Sequence, residues 1–442
     1  MKSKYFLIIS VFVLLVCVSC NSNFLEVDVQ QLQEKIYEPE AIRFKALNSG
    51  TTLYLDHSTC VIDARRNSPV FKSLLGQLGL YTDTLCLIKG QTFEVVPNTD
   101  KSPTSTDVYN IINGIGQDIP FADIGHAVNN ICEGNSQAIL ITDCEYFDKN
   151  GKNQDGFPYL SGAFKNWLEK GHVIYIVTEP YKEKVKGRTY DKKRFYFIFT
   201  NDRMQAPISH NLLNELKTSL QNNLCSLFKL TNSDLFVKRE GDLVEKDLTV
   251  TYEDKNVFDY IEIDNDWDDI REYVMKLDKY GEPLEDEKPL PLVQNLIFNE
   301  GENYIISDVE VVASDITARY LALSDSLWEE SIPAATNISD GFLIDKEALK
   351  SNKLNVLLTD KIFNYLTDEF GGNLIRLDFV ITKVGLKQYD ANIFTWQSIY
   401  NSDLAICVAK SIDNALRDIE VVPTTNTRKV IHTVFLKTQS YN

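Results

Sequence analysis

Histidine is scarce in this chain: the 442 residues hold five, His57, His126, His172, His210 and His432, so general bases and imidazole metal ligands are few. His172 opens an apolar strand and His210 lies near a helix start, positions that suit packing, which leaves His57 and His126. No Gly-rich phosphate loop occurs, and no serine sits in a Gly-x-Ser-x-Gly elbow. Positive charge is short as well. Lys and Arg number 45 against 63 Asp and Glu, a formal net charge of −18, and such a field repels nucleic acid and anionic headgroups. Nucleic acid is thereby excluded as a partner. Beyond Cys20 no apolar stretch reaches the ~20 residues that a spanning helix needs. The eight cysteines are too widely spaced, in too long a chain, to form a disulfide framework.

What is present begins at the N-terminus. Lys2 and Lys4 precede an apolar run from Tyr5 to Val18, then Ser19 and Cys20, the build of a secretory signal. Cys20 after a small residue resembles the lipobox of bacterial lipoproteins, with Cys17 where that motif usually carries Leu. The resemblance implies that residues 1–19 are removed as a lipoprotein signal peptide. It also implies that Cys20 is lipidated and that the lipid tethers the chain to a membrane of the cell envelope, the outer membrane above all. A plain signal peptide or a retained anchor helix are the alternatives. Asn21, Ser22 and Asn23 follow the cysteine and Glu26 stands alone, so no acidic surface-export run marks one face of that membrane. Cys17 leaves with the signal. Cys86, Cys132, Cys225 and Cys407 read as core thiols.

About 420 residues then remain, enough for two or three domains. Residues 20–48 begin polar and read as a tether. From 49 to 224 strands alternate with helices. Thr51 to Leu55 is a first strand; Ser68-Pro69 is an N-cap and first-turn pair before Val70, Phe71, Leu74, Leu75 and Leu78, an apolar stripe at helical spacing. Leu85–Ile88 and Thr92–Val96 flank Lys89-Gly90 as a hairpin. Asp123 caps a helix carrying Ile124, Ala127, Val128 and Ile131, and Ala138 to Thr142 is a buried strand. Gly171 ends a helix with Phe164 and Trp167, and His172–Thr178 and Phe195–Thr200 read as two further strands of a parallel sheet. This is the pattern of a doubly wound, mostly parallel α/β domain. Residues 225–300 form an acidic connecting region rich in proline near its end. Residues 301–442 read as a β-rich α+β domain, with Ile375, Leu377, Phe379 and Ile381 alternating along one strand and Ser402 capping a helix through Ile419.

Two strand ends carry the candidate chemistry. Asp56-His57-Ser58-Thr59-Cys60 follows the first strand and Thr142-Asp143-Cys144-Glu145 follows the fourth, where open α/β sheets place their ligands. Read as residues, Asp56 and Asp143 could bind an ion, cap helices or bind loop amides.

The order of elements resembles the von Willebrand factor A fold, and three segments match its metal-ion-dependent adhesion site. Asp56, Ser58 and Cys60 stand on its Asp-x-Ser-x-Ser, with Cys60 for the second Ser. Ala122-Asp123-Ile124-Gly125-His126-Ala127 stands on its Thr-Asn/Asp-Ile-Gly-x-Ala, with Ala122 for the metal-binding Thr. Thr142-Asp143-Cys144-Glu145 stands on its Thr-Asp-Gly-Glu. The resemblance covers about two fifths of the chain. It implies a lipid-anchored envelope module that binds a protein or other ligand through Asp56, Ser58, Asp123, Asp143 and Glu145, with Asp56, Ser58 and Asp143 around Mg2+ or another divalent cation in a depleted site. It also makes strands one and four neighbours, so that Cys60 and Cys144 could pair as a disulfide, stay apart as thiols, or join His57 or His126 around zinc.

Two readings compete: a metal-assisted hydrolase using Asp56, Asp143, His57 and His126, and an envelope scaffold component. Asp148, Asn150, Asn153 and Asp155-Gly156 resemble a calcium loop, whereas Asp264, Asp266 and Asp268 lack the glycine and the terminal acid of an EF-hand. Replacing Cys20 tests the tether: Cys20→Ala is expected to move the protein from the membrane pellet to the soluble fraction, and mass spectrometry of the native N-terminus should find a diacylglyceryl cysteine.

Overall fold

The structure, a computed structural model, describes residues 25–36, 46–59, 61–62, 67–113, 121–148, 152–202, 204, 207–234, 237–238, 258–262, 270–273, 290–298, 301–324, 332–367, 370–400, 403–419 and 429–438. Cys20, Cys60, Asn150, Asp264, Asp266, Asp268 and Ser402 lie outside them. No helix among the described residues is long and apolar enough to cross a membrane.

The first region is a mixed seven-stranded sheet with helices on both faces. In chain order its elements are β1 (Asn48–Asp56), α1 (Pro69–Tyr81), β2 (Thr84–Lys89), β3 (Thr92–Pro97), α2 (Thr106–Asn113), α3 (Ile124–Glu133), β4 (Ser136–Thr142), α4 (Ser161–Glu169), β5 (Val173–Val185), β6 (Arg188–Thr200), α5 (Ile208–Gln221) and β7 (Ser226–Leu230). The spatial order is β3-β2-β1-β4-β6-β5-β7. β1 lies between β2 and β4 and is parallel to both, so the chain winds away from β1 to one side and returns on the other. That reversal opens a crevice at the carboxyl ends of β1 and β4.

Local chemistry sets several boundaries where the sequence places them. Ser68 Oγ accepts the Phe71 N–H at 2.8 Å to start α1, Asp123 Oδ1 accepts the His126 N–H at 2.9 Å to start α3, and Gly171 takes φ +76° after α4. Gly79 lies so close to the 102–105 loop that a Cβ there would sit 2.3 Å from the Ser102 carbonyl oxygen.

Strand pairing differs from the expectation in one respect. The segments 172–178 and 195–200 belong to an antiparallel hairpin of two 13-residue strands, β5 and β6. The cause is the two-residue turn Lys186-Gly187, with φ +48° and +78°, both in the left-handed region that matches the twist of the flanking strands. The sheet also continues past residue 224, because β7 pairs with β5 from Ser226 to Leu230.

The pleat divides the sheet's side chains between two cores. Leu53, Leu55, Ile139, Ile141 and Ile198 pack under Phe71, Leu74, Leu212 and Leu216 of α1 and α5. Leu140, Phe197 and Phe199 face Val128, Phe164 and Trp167 of α3 and α4. This second core runs on without a break into the C-terminal region, through Val408 and Ile412 to Phe379 and Val434. That region is β-rich, with a six-stranded sheet centred on Leu374–Leu386 and a four-stranded one, and the strand at 374–386 alternates buried and half-buried residues from Ile375 to Phe379 as its sequence does, whereas Val380 is buried like its neighbours Phe379 and Ile381.

A helix of the C-terminal region, α6 (Cys407–Asp418), packs on α4. It begins later than the sequence suggests: Leu404–Ala405 pairs instead with Trp396–Gln397 as a two-stranded ribbon. The α4 N-terminus has no cap of its own, and the buried Leu160 N–H is taken at 3.2 Å by Ser411 Oγ of α6. Ser411→Ala strands that amide, and the cost should be about 1–3 kcal/mol, read as a lower urea midpoint at unchanged slope.

Candidate functional site

Asp56 ends β1 and Asp143 follows β4, and each folds back on its own loop in the same way. Asp56 Oδ1 accepts the Ser58 N–H at 2.9 Å and the Ser58 hydroxyl at 2.7 Å. Asp143 Oδ1 accepts the Glu145 N–H at 3.0 Å. Thr142 links the loops, donating its hydroxyl to Asp56 Oδ2 at 2.8 Å and accepting the Cys144 N–H at 3.0 Å. These are Asx turns on adjacent parallel strands. Cys144 between them holds φ +60°, a left-handed conformation that a non-glycine residue adopts at a cost.

The other wall is the β5–β6 hairpin, which outruns its neighbour: β4 pairs with β6 only as far as Thr142 opposite Phe195. Beyond that point the arm carries Glu179, Tyr181, Glu183, Lys192 and Arg194 on one face and Pro180, Lys182, Asp191 and Lys193 on the other, by the alternation of the pleat. Lys192 reaches Glu145 in a buried ion pair and lies 3.9 Å from Glu183. Arg194 bonds Glu179 at 2.6 Å, and its guanidinium stacks over the Tyr181 ring at 5.0 Å. Glu179 in turn accepts the Ser68 hydroxyl at 2.7 Å and the Tyr196 hydroxyl at 2.8 Å, at the start of α1, where the helix dipole favours a negative charge.

Five acids, Asp56, Asp143, Glu145, Glu179 and Glu183, thus gather around two cations, and all but Glu183 are buried. Burial, and then the charge of Asp56, push the Asp143 carboxyl well above the usual carboxylate range. Burial raises Glu183 as well. Isolated charges are costly in such a place unless paired, and clusters of this kind gather at functional sites.

No family model, no curated protein and no solved structure matches this chain.

The residues named from sequence fall as follows. Asp56, Ser58, Asp143 and Glu145 share the edge described. Asp123 stands at the start of α3 next to Tyr146, which follows Glu145, and a Cβ on Gly125 would touch the Tyr146 ring at 3.4 Å. Ala122 bridges Gly90 beside β2 and offers no side-chain oxygen. His57 is buried in the β1 loop, whereas His126 is exposed on α3 with its ring against Phe93 at 4.8 Å. Cys144 is a free buried thiol, so the bridge to Cys60, itself outside the described residues, gains no support.

The divalent-cation expectation meets a poor donor set. Ser58 and Thr142 aim their hydroxyl protons at Asp56, so both of its oxygens are engaged, and no group of three or more His, Cys, Asp or Glu among the described residues is placed to hold a metal ion. The arrangement does not fit Mg2+. Nor is 148–155 a calcium loop in the part described: Asp148 accepts the Lys152 N–H, and Asp155 is bonded to Ser398 of the C-terminal region.

Lys192, Arg194, Glu179 and Glu183 were missing from the sequence reading. A signal was there in Glu179-x-Tyr181-x-Glu183 and Lys192-x-Arg194-x-Tyr196, polar groups at period two continuing an apolar strand.

A carboxyl held above its unfolded value near 3.8 keeps its proton more tightly in the folded chain. Stability therefore falls as pH rises from the unfolded value through the folded one, and the penalty is complete above it. Asp143→Asn keeps the acceptor for the Glu145 N–H and removes the titration. Urea midpoints between about pH 4 and about pH 8 should fall less steeply with rising pH in the variant than in the parent.

Proposed function

We propose that this chain is a lipid-anchored binding module of the cell envelope, built on a von Willebrand factor A-like domain whose adhesion edge is kept while its metal is replaced by fixed protein cations. The observation that carries the reading is the pair of acids at the switch point: Asp56 and Asp143 close adjacent parallel strands, and Asp143 lies in the field of Lys192 and Arg194, which pair with Glu145 and Glu179 beside it. Further support comes from the loop after β4. Cys144 takes φ +60° where the family pattern Thr-Asp-Gly-Glu has its glycine, as a retained loop geometry would require. The hairpin after α1 and the acid at the start of α3 fit the same pattern, and Cys20 fits the tether.

In this reading the edge offers a partner a preset charge pattern. Arg194 is buried behind that edge in its ion pair with Glu179, so its charge shapes the field that a partner meets without touching the partner. The hydrolase reading is weaker because His126 is exposed on α3 and the metal-ligand set is absent among the described residues. A scaffold role would use the same fold without this edge.

A photo-crosslinking residue at Thr59, on the rim of the edge, tests the proposal in intact cells. A discrete adduct should form that a crosslinker at exposed Tyr109 does not give, that Arg194→Gln removes, and that a chelator leaves in place. Identical adducts from both positions would overturn the binding edge. Loss of the adduct in chelator would overturn the replacement of metal by fixed cations.

A further inference from the structure

The opposite face of the β5–β6 overhang carries a second feature, separate from the acidic edge. Between the arm and the Trp396–Gln397/Leu404–Ala405 ribbon lies a cleft of about 400 Å³, within the size range of small-ligand sites. Its walls include Pro180 and Leu404, which are apolar, and its polar groups include Lys193, Gln397 and Trp396.

Two donors there are left wanting. Trp396 is 2% exposed, packed edge-on to Phe195 at 5.3 Å, and its indole N–H finds no acceptor among the described residues. An indole N–H can only donate, and buried donors are nearly always satisfied. Lys193 is half-buried, and its ammonium rests on the neutral Asn392 carbonyl at 2.8 Å. It makes no ion pair among the described residues, while Lys182 on the same face of the arm pairs with Asp191. Burial lowers the Lys193 pKa, against the opposing pull of Asp390, which marks an ammonium short of compensating charge. In a chain of net charge −18, a half-buried cation lining the same cleft as an orphan N–H is a local exception.

We propose that this cleft binds a small monocarboxylate carried on a compact ring, its two oxygens shared between the Trp396 indole N–H and the Lys193 ammonium and its ring laid against Leu404 and Pro180. One N–H and one ammonium match the two oxygens of a carboxylate. A phosphate has at least three oxygens to satisfy, and among the described residues no arginine fork lines the cleft to hold them.

Calorimetry on the full chain with benzoate and glucuronate as probes, benzamide as the neutral counterpart and inorganic phosphate as the competing anion tests this. At least one acid should bind and benzamide should not. Trp396→Phe, which keeps the ring and loses the N–H, and Lys193→Gln should each weaken binding about tenfold or more, with urea midpoints showing that both variants fold. The Trp396 indole proton resonance, identified by its loss in Trp396→Phe, should move on binding. Four results would each overturn the assignment: benzamide binding as tightly as the acids, phosphate binding more tightly than both, affinity unchanged in the two variants, or no heat from either acid at millimolar concentration.

Discussion

Lys192 and Arg194 leave the sheet on the overhanging arm of β6, and the acidic groups at the carboxyl edge of β1 and β4 are tolerable only in their company. Bringing Asp56, Asp143, Glu145 and Glu179 into one dry place would be prohibitive without compensation. Lys192 meets Glu145, and Arg194 meets Glu179 with hydroxyl donors from Ser68 and Tyr196. The remaining excess of negative charge is relieved by holding Asp143 toward its protonated form. The positions of the two loops, the start of α1 and the overhang are therefore fixed by one electrostatic condition.

That condition explains which parts of the molecule could be read in advance. Ser68-Pro69, Asp123, Lys89-Gly90 and Gly171 each act within a few residues, through a cap bond or a left-handed φ, so their sequence meaning is local and the structure keeps it. Asp56 and Asp143 were legible because an acid at the end of an apolar strand has a position as well as a type. The run Asp191-Lys192-Lys193-Arg194 was not, since charges in a row ordinarily mark a solvated face. Lys192 and Arg194 are buried only because β6 outruns β4 by several residues, and strand overhang is a property of pairing that no window of sequence contains. The antiparallel course of β5 and β6 was missed for a different reason. Lys186-Gly187 carried the turn signal, but the charged flanks on either side concealed the continuation of both strands.

The start of α6 shows tertiary structure overriding a local pattern. Leu404 fits a helical stripe, yet its neighbour Ala405 is buried in the ribbon with Trp396, and the Ile406 N–H goes to the Asp155 carbonyl of the first region at 2.8 Å. Once that backbone bond is made, the helix can begin only at Cys407. The same exchange of partners recurs at the Leu160 N–H and Ser411, so each region completes hydrogen bonds that the other leaves open.

A protruding two-stranded ribbon is marginal in water on its own, and the arm of β5 and β6 is secured from both faces. On one face stand the ion pairs to Glu145 and Glu179. On the other, the Asp191 N–H is held at 2.8 Å by Gln397 Oε1 and the Lys193 ammonium by Asn392, both from the C-terminal region, while Trp396 packs against Phe195 at the root of the arm. Neighbouring residues on a strand point to opposite faces, so Lys192 and Lys193 tie one short length of backbone to the acidic edge and to the ribbon respectively. A displacement of that backbone cannot alter one set of contacts without altering the other. The C-terminal region is thus part of what shapes the edge at Asp56 and Asp143, although none of the side chains forming that edge comes from it among the described residues.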